Sequence, residues 1–176
     1  MQVINWHAIV QKHGLAVWQT AYRLLGNDTD AADCFQDTFV SALEVSRRQH
    51  IRNFTALLVR LTTARAIDQL RQRARRSQAN EQLAAWTAAP SDNSQPSQHL
   101  EGCELRAKLR EAIAYLPEQE AQVFCLRYLN GMSYRLIAKQ LGMSTNAAGV
   151  SLHRARTRLR KILENSTANE QSEVKP

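Results

Sequence analysis

The sequence predicts an all-α protein: two small helical domains joined by a flexible linker. Three observations carry this expectation. Apolar residues recur every three or four positions, not in the alternation that a half-buried strand needs. The first 76 residues contain no proline. Residues 77–99, by contrast, are rich in Ser, Gln, Asn, Ala and Pro, with too little apolar area to offset the cost of ordering a chain. A chain of 176 residues suits two small units, each near the size where one core is only marginally sufficient, and helical bundles meet that constraint. The expected boundaries are 1–76 for the first domain, 77–99 for the linker, 100–164 for the second domain and 165–176 for a polar tail.

Trp6, Ile9 and Val10 begin a first helix, which Leu15, Trp18, Tyr22 and Leu25 continue. Gly26-Asn27-Asp28 makes a turn, and Thr29 or Asp30 can cap the second helix by accepting amide hydrogen bonds. That helix runs to about Val45, with Phe35, Phe39, Ala42 and Leu43 on one face, and Ser46 to Asn53 forms a polar basic loop. A third helix from Phe54 buries Leu57, Leu58, Leu61, Ala64, Ile67 and Leu70 and ends in the basic run Arg71 to Arg76. Within the linker, Leu83 and Trp86 are the only candidates for docking. The helical period returns at Leu100, with Leu105, Leu109, Ile113 and Leu116 as a stripe. Pro117 opens the next helix, whose stripe is Ala121, Phe124, Cys125 and Tyr128. Asn130-Gly131 is a turn, Ser133 caps a short helix through Leu141, and Ser144 or Thr145 caps a last helix to about Leu163.

A net charge of +7 points to a polyanionic partner, nucleic acid or an anionic membrane surface. The charge is uneven: residues 1–80 carry a net +5, residues 81–100 a net −2 and residues 101–176 a net +4. Two basic blocks flank an acidic stretch, as expected of two DNA-facing modules on a tether. Cys34, Cys103 and Cys125 are scattered and odd in number, which argues against a disulfide framework or a structural zinc site. The N-terminus lacks a basic head followed by an apolar run, and no apolar stretch is long enough to span a bilayer. Membrane insertion is therefore not expected, and a cytoplasmic location is. No catalytic constellation, cofactor motif or metal-ligand spacing stands out. Asp33 and Asp37 form a helical pair, but neither a histidine nor a third carboxylate is placed with them, and no phosphate-cradling glycine loop occurs.

The segment GMSYRLIAKQLGMSTNAAGVSLHRARTRLRKIL, residues 131–163, has the layout of a helix-turn-helix. Two helices meeting across a tight turn need a small residue at closest approach and a glycine at the corner, and Ala138 and Gly142 supply them. Ile137 and Leu141 face inward from the first helix, Ala148 and Leu152 from the second. The second helix would lie in the major groove, with Thr145 and Asn146 near base edges and Arg154, Arg156, Arg158, Arg160 and Lys161 behind them. An ordinary helical hairpin with a solvated basic face is the plainer alternative.

LPEQEAQVFCLRYLNGMSYRLIAKQLGMS from Leu116, with LHRARTRLR from Leu152, resembles region 4 of bacterial sigma factors. DAADCFQDTFVSAL, residues 30–43, resembles the region 2 motif that grips the polymerase β′ clamp helices, and AIDQLRQRARR, residues 66–76, resembles the region 2 helix that reads the −10 element. With these two regions in order, the chain resembles the extracytoplasmic-function (ECF) group of the sigma-70 family. The resemblance implies a non-enzymatic factor that directs RNA polymerase core enzyme to promoter DNA and assists opening of the duplex for transcription initiation. It implies contacts with the β′ clamp helices and the β flap, and an anti-sigma partner.

On that resemblance Asp33, Gln36, Asp37 and Phe39 meet polymerase; the two acids and the glutamine share a helix face poorly suited to DNA. Arg48, His50 and Asn53 of the loop, with Arg65, Asp68, Arg71, Arg73, Arg75 and Arg76, meet the −10 region. The arginines neutralise phosphate there and the loop receives an unstacked base. His50 is either a base-stacking ring or a solvated one. Ser133, Tyr134, Thr145, Asn146, Ser151, Arg154 and Arg156 meet the −35 element. The sequence departs from the family pattern in three places: Leu57 replaces a tryptophan, Ala64 an asparagine, and the segment NAAGVS lacks the usual Lys and Arg before LHRAR. Gly149 there costs up to about 1 kcal/mol of helix propensity, so a weaker or unusual −35 contact is expected. A stand-alone helix-turn-helix regulator would need a palindromic site and would have no use for the DAADCFQDTF face.

Overall fold

A computed structural model describes residues 4–84 and 98–173, with side chains described for 4–80 and 102–165. Among the described residues there are seven helices and no strand. They are α1 (Trp6–Leu25), α2 (Asp28–Arg48), α3 (Phe54–Ala84), α4 (Gln98–Ala114), α5 (Glu118–Tyr128), α6 (Tyr134–Leu141) and α7 (Thr145–Glu173). Short polar side chains start most of them. Asn5, Asn27, Asn53, Ser133 and Ser144 each accept a backbone N–H three residues on, satisfying donors that a helix start leaves free. The cap of α2 is therefore Asn27, not Thr29 or Asp30. Pro117 sits just outside α5, and its carbonyl accepts the Ala121 N–H.

The expected stripe of α3 is largely buried: Leu57, Leu58, Ile67 and Leu70 are in the core, with Leu61 and Ala64 half-buried. On α1 the register differs. Leu15 is 69% exposed and Tyr22 exposed, while Val17, Ala21 and Leu24 face inward. Leu105 of α4 is likewise 62% exposed and Tyr128 of α5 exposed. Those helices are covered along one narrow line, and a list of apolar residues at roughly helical spacing did not distinguish that line from its flanks.

Helix ends also differ from expectation. Helix α2 takes in Ser46 to Arg48, leaving a loop of only 49–53. Helix α3 runs through Ala84, eight residues into the span read as linker, and α7 through Glu173, into the span read as tail. Neither extension contains Gly or Pro, so each helix continues at the low cost of propagation, needing no new nucleus. Residues 85–97, including Trp86, lie outside the described residues, and Gln98 and His99 of the expected linker already belong to α4.

The two helical groups, α1–α2 with the start of α3 and α4–α7, pack directly on one another. One apolar cluster belongs to the first group alone: Val17, Ala42 and Leu58, flanked by Trp6, Ile9, Phe35, Phe39, Phe54 and Leu61. Edge-to-face rings hold it, Trp6 on Phe54 at 6.1 Å and Trp18 on Phe35 at 6.3 Å. The other two clusters cross between groups. Leu24, Leu25, Ile67 and Leu70 meet Ile113, Leu116, Cys125 and Leu159, and Ala56 and Val59 meet Val123, Leu126, Ile137, Ala148 and Leu152. Polar contacts tie the same seam. Arg71 donates to the Leu116 carbonyl at 2.8 Å and Arg23 to the Leu129 carbonyl at 2.8 Å. The Thr20 hydroxyl reaches the Asn130 side chain at 2.7 Å.

Gly26 ends α1 in the left-handed region (φ 78°), its N–H bonded to the Tyr22 carbonyl. A Cβ there would stand 2.7 Å from the Arg110 guanidinium carbon of α4. Gly142 has the same sign of φ (65°) but open space around it. Gly142→Ala should therefore lose about 1–2 kcal/mol for backbone strain alone, and Gly26→Ala more, because Arg110 must also give way; urea unfolding of the two variants measures the difference. The cysteines give a second test. Burial raises the thiol of Cys34 to about 11 and that of Cys125 to about 12, whereas Cys103 is exposed. One thiol per chain should react with a disulfide reagent near pH 8, and three after unfolding. Since both buried thiols stay neutral when their unfolded counterparts ionise above about 9, their contribution to stability is complete below that pH and declines above it. Urea midpoints at pH 8 and pH 10 check the sign.

Candidate nucleic-acid interface

Helix α6, the turn at Gly142 to Ser144 and the start of α7 form a helix-turn-helix. The turn closes because Gly142 adopts φ 65° and its N–H, with that of Met143, bonds the Ala138 carbonyl. Ile137 and Ala138 are buried from α6, and Ala148, Leu152 and Ala155 from α7. Thr145, Asn146, Arg154 and Arg156 are left on the exposed side of α7. Ser133 is exposed, but its hydroxyl is engaged by the Leu136 N–H. Tyr134 is exposed, with the Arg127 guanidinium 5.0 Å above its ring. Ser151 is 8% exposed, on the same inner face as Ala148, Leu152 and Ala155. Contrary to the expected DNA contact, Ser151 is buried with the core-facing residues of α7 and is not on the exposed side that carries Arg154 and Arg156.

In the first helical group, Asp33, Gln36 and Asp37 are exposed along α2, and Phe39 is half-buried with its ring 4.9 Å from Phe35. The inner side of this stretch is anchored by Cys34 and Thr38, both fully buried; the Thr38 hydroxyl donates to the Cys34 carbonyl at 2.7 Å and lies 3.3 Å from the Thr62 hydroxyl of α3. Beside the acidic face, and sharing Asp37 with it, a polar cavity of about 380 Å³ is lined by Asp37, Arg65, Asp68, Gln69, Arg71, Gln72 and Arg75. Arg48, His50, Asn53, Arg65, Asp68, Arg75 and Arg76 are all exposed. The Asn53 amide oxygen caps α3, and Arg65 donates to the Ser41 hydroxyl at 3.1 Å. Two of the expected phosphate contacts are occupied internally. Arg71 holds the Leu116 carbonyl, and Arg73 pairs with Asp30 and donates to the Leu25 carbonyl. Both are half-buried, and each has part of its guanidinium taken up by these internal contacts.

The family described as Sigma-70 region 2 matches residues 9–76, and that described as Sigma-70, region 4 matches residues 106–159. The ECF RNA polymerase sigma factor SigE of Mycolicibacterium smegmatis is 31% identical over 160 residues, covering 90% of this chain and 62% of that protein. The ECF RNA polymerase sigma factor SigW of Bacillus subtilis is 27% identical over 154 residues, covering 84% and 82%. The chain belongs to the sigma-70 family.

It is similar to members of the ECF group, although it spans less than two thirds of the length of the SigE protein. Among solved structures, CnrH in complex with the cytosolic domain of CnrY shares the fold at a TM-score of 0.57, with 25% identity and coverage of 92% of this chain and 90% of that one. The sigma factor RpoE in complex with the anti-sigma factor NepR from Bartonella quintana gives 0.55, with 22% identity and coverage of 92% and 98%. Region 2 thus comprises α1, α2 and the first part of α3, and region 4 lies within α4 to α7.

Two features escaped the sequence reading. Val40, 57% exposed, continues the Gln36–Asp37 face of region 2 as an apolar spot; its spacing from those residues was the available signal. Arg60 and Lys139, from regions 2 and 4, meet around the 49–53 loop, a juxtaposition that only the packing of the two regions creates. Among the described residues no group of three or more His, Cys, Asp or Glu is placed to hold a metal ion, and no helix is long and apolar enough to cross a membrane. If Arg154 and Arg156 meet phosphate, replacing both with Ala should flatten the dependence of log affinity on log salt by about 0.9 per lost contact. Binding of a −35 duplex across a salt series measures it, and an unchanged slope would remove those side chains from the interface.

Proposed function

We propose that this chain is a sigma factor that directs RNA polymerase core enzyme to specific promoters and assists their opening, without catalytic chemistry of its own and acting in the cytoplasm. What supports the reading most is the pairing of a region 2 match with a region 4 match, in order, on one chain whose second part closes a helix-turn-helix. In this reading α7 enters the major groove of the −35 element, with Thr145 and Asn146 at base edges and Arg154 and Arg156 on phosphate. Arg48, His50 and the 49–53 loop receive the opened −10 strand, with Arg65, Arg75 and Arg76 neutralising its backbone and Asp68 beside them. Asp33, Gln36, Asp37 and Phe39, with Val40, dock on the β′ clamp helices, and region 4 also meets the β flap. Two similar solved structures are complexes, of RpoE with the anti-sigma factor NepR and of CnrH with the cytosolic domain of CnrY, and on that ground an anti-sigma protein is a further proposed partner. Domain limits of 1–76 and 100–164 fit this division of labour, with α3 prolonged beyond the first.

Run-off transcription by core enzyme, with and without the protein, on a promoter library tests the proposal directly. Transcripts that depend on the protein are expected; specific occupancy of a symmetric operator without polymerase would refute it. Charge reversal of Asp33 and Asp37 to Arg should weaken co-purification with core enzyme by about tenfold or more while leaving the unfolding midpoint nearly unchanged, since both side chains are exposed.

A further inference from the structure

Where the 49–53 loop of region 2 approaches α6 of region 4, a cavity of about 410 Å³ is lined by Gln49, His50, Ile51, Arg52, Asn53, Leu57, Arg60, Leu136, Lys139 and Gln140. Its charge is one-sided. Arg52, Arg60 and Lys139 converge on it with His50, and no acidic side chain lines it. Among the described residues none of the three cations has an ion-pair or hydrogen-bond partner, and the Nε of Arg60 is buried without an acceptor. Like charges gathered on one cavity repel, and a buried guanidinium N–H without a partner is a rare and costly condition. The other half-buried arginines of α3 do find partners: Arg71 holds the Leu116 carbonyl, and Arg73 pairs with Asp30. The apolar walls, Ile51, Leu57 and Leu136, lie beside the cations.

We propose that this cavity is a binding site for a small phosphorylated compound carrying two or three phosphoryl groups, held jointly by region 2 and region 4. Arg60 presents a planar donor set suited to phosphate oxygens, Arg52 and Lys139 neutralise charge from either side, and the apolar wall accommodates a base or other flat group. A nucleotide-sized ligand fits the volume. Because one wall is α6 and the other is the loop, the ligand stabilises the packed arrangement of the two regions by mass action. If the sigma-factor reading holds, it also competes with entry of the −10 strand at that loop; the binding step does not depend on that reading.

The test uses the full chain and thermal unfolding at constant ionic strength, with pyrophosphate, inorganic triphosphate and ADP as probes. A saturable rise in melting temperature is expected with at least one of them. Tighter binding of ADP than of pyrophosphate identifies a nucleotide, and equal binding identifies the phosphoryl groups alone. Lys139→Gln, at an exposed position that cannot unfold the protein, should weaken the apparent affinity by about tenfold, and adding Arg60→Gln should abolish saturation. Arg135→Gln, on the same helix but outside the lining, should change nothing. The proposal is overturned if no probe gives a saturable response, if Lys139→Gln binds as well as the parent, or if a single-stranded oligonucleotide saturates the site while all three phosphates fail. Run-off transcription with the same variants separates this outcome from failure of the sigma-factor reading, since binding is measured without polymerase.

Discussion

Burial of α3 on several sides at once is the constraint on which the rest of this structure depends. Leu58 and Leu61 face the aromatic cluster of α1 and α2, Ile67 and Leu70 face Leu24, Leu25, Ile113 and Leu116, and Ala56 and Val59 face the helix-turn-helix core. A helix that is apolar around most of its circumference can be stable only when surrounded. Small residues, Ala56, Ala66 and Thr62, let neighbouring helices come close; of the hydroxyls that this burial traps, those of Thr62 and Thr38 bond back to carbonyls one turn earlier and lie within reach of each other, whereas that of Thr63 has no partner. Regions 2 and 4 thus share a wall, and the surface each presents is set partly by the other.

This sharing explains why charge on α3 divides into two populations. Arg71 and Arg73 lie where the helix is covered, and they serve the fold by holding the Leu116 carbonyl and the Asp30 carboxylate. Burial and the neighbouring Arg110 lower the affinity of Arg73 for its proton, a direction consistent with a guanidinium drawn into the protein. Arg65, Arg75 and Arg76 lie where the helix is uncovered and are exposed, Arg65 with one donor on the Ser41 hydroxyl. A basic run in the sequence is one string of letters; on the helix it becomes a structural part and a surface part.

The helical class, the helix-turn-helix with Ala138 and Gly142 at its corner, and the buried stripe of α3 could all be read from the sequence, because each depends on residues within a few turns of one another. The exposed acidic face of α2 was legible for the same reason. What could not be read depends on contacts between distant segments. The exposure of Leu15 and Leu105 and the burial of Ser151 follow from which side a neighbouring helix covers. The prolongation of α3 into a Gln- and Ala-rich span was misread because composition measures the ability to form a core, whereas an existing helix needs only the absence of breakers. The packing of the two regions, expected as modules on a tether, had no local signal at all.

The helix that carries Thr145 and Asn146 is rooted in the seam. Ala155 and Leu159, further along α7, belong to the same cluster as Leu24, Leu25 and Ile67. Fourteen residues of helix separate Leu159 from Thr145, about 21 Å at 1.5 Å per residue. A rocking of only about 5° at the rooted end would carry the tip by nearly 2 Å, enough to break any hydrogen bond it makes. The aim of the tip therefore cannot be set independently of how the root is seated, and side chains that never approach a base control how a base would be met.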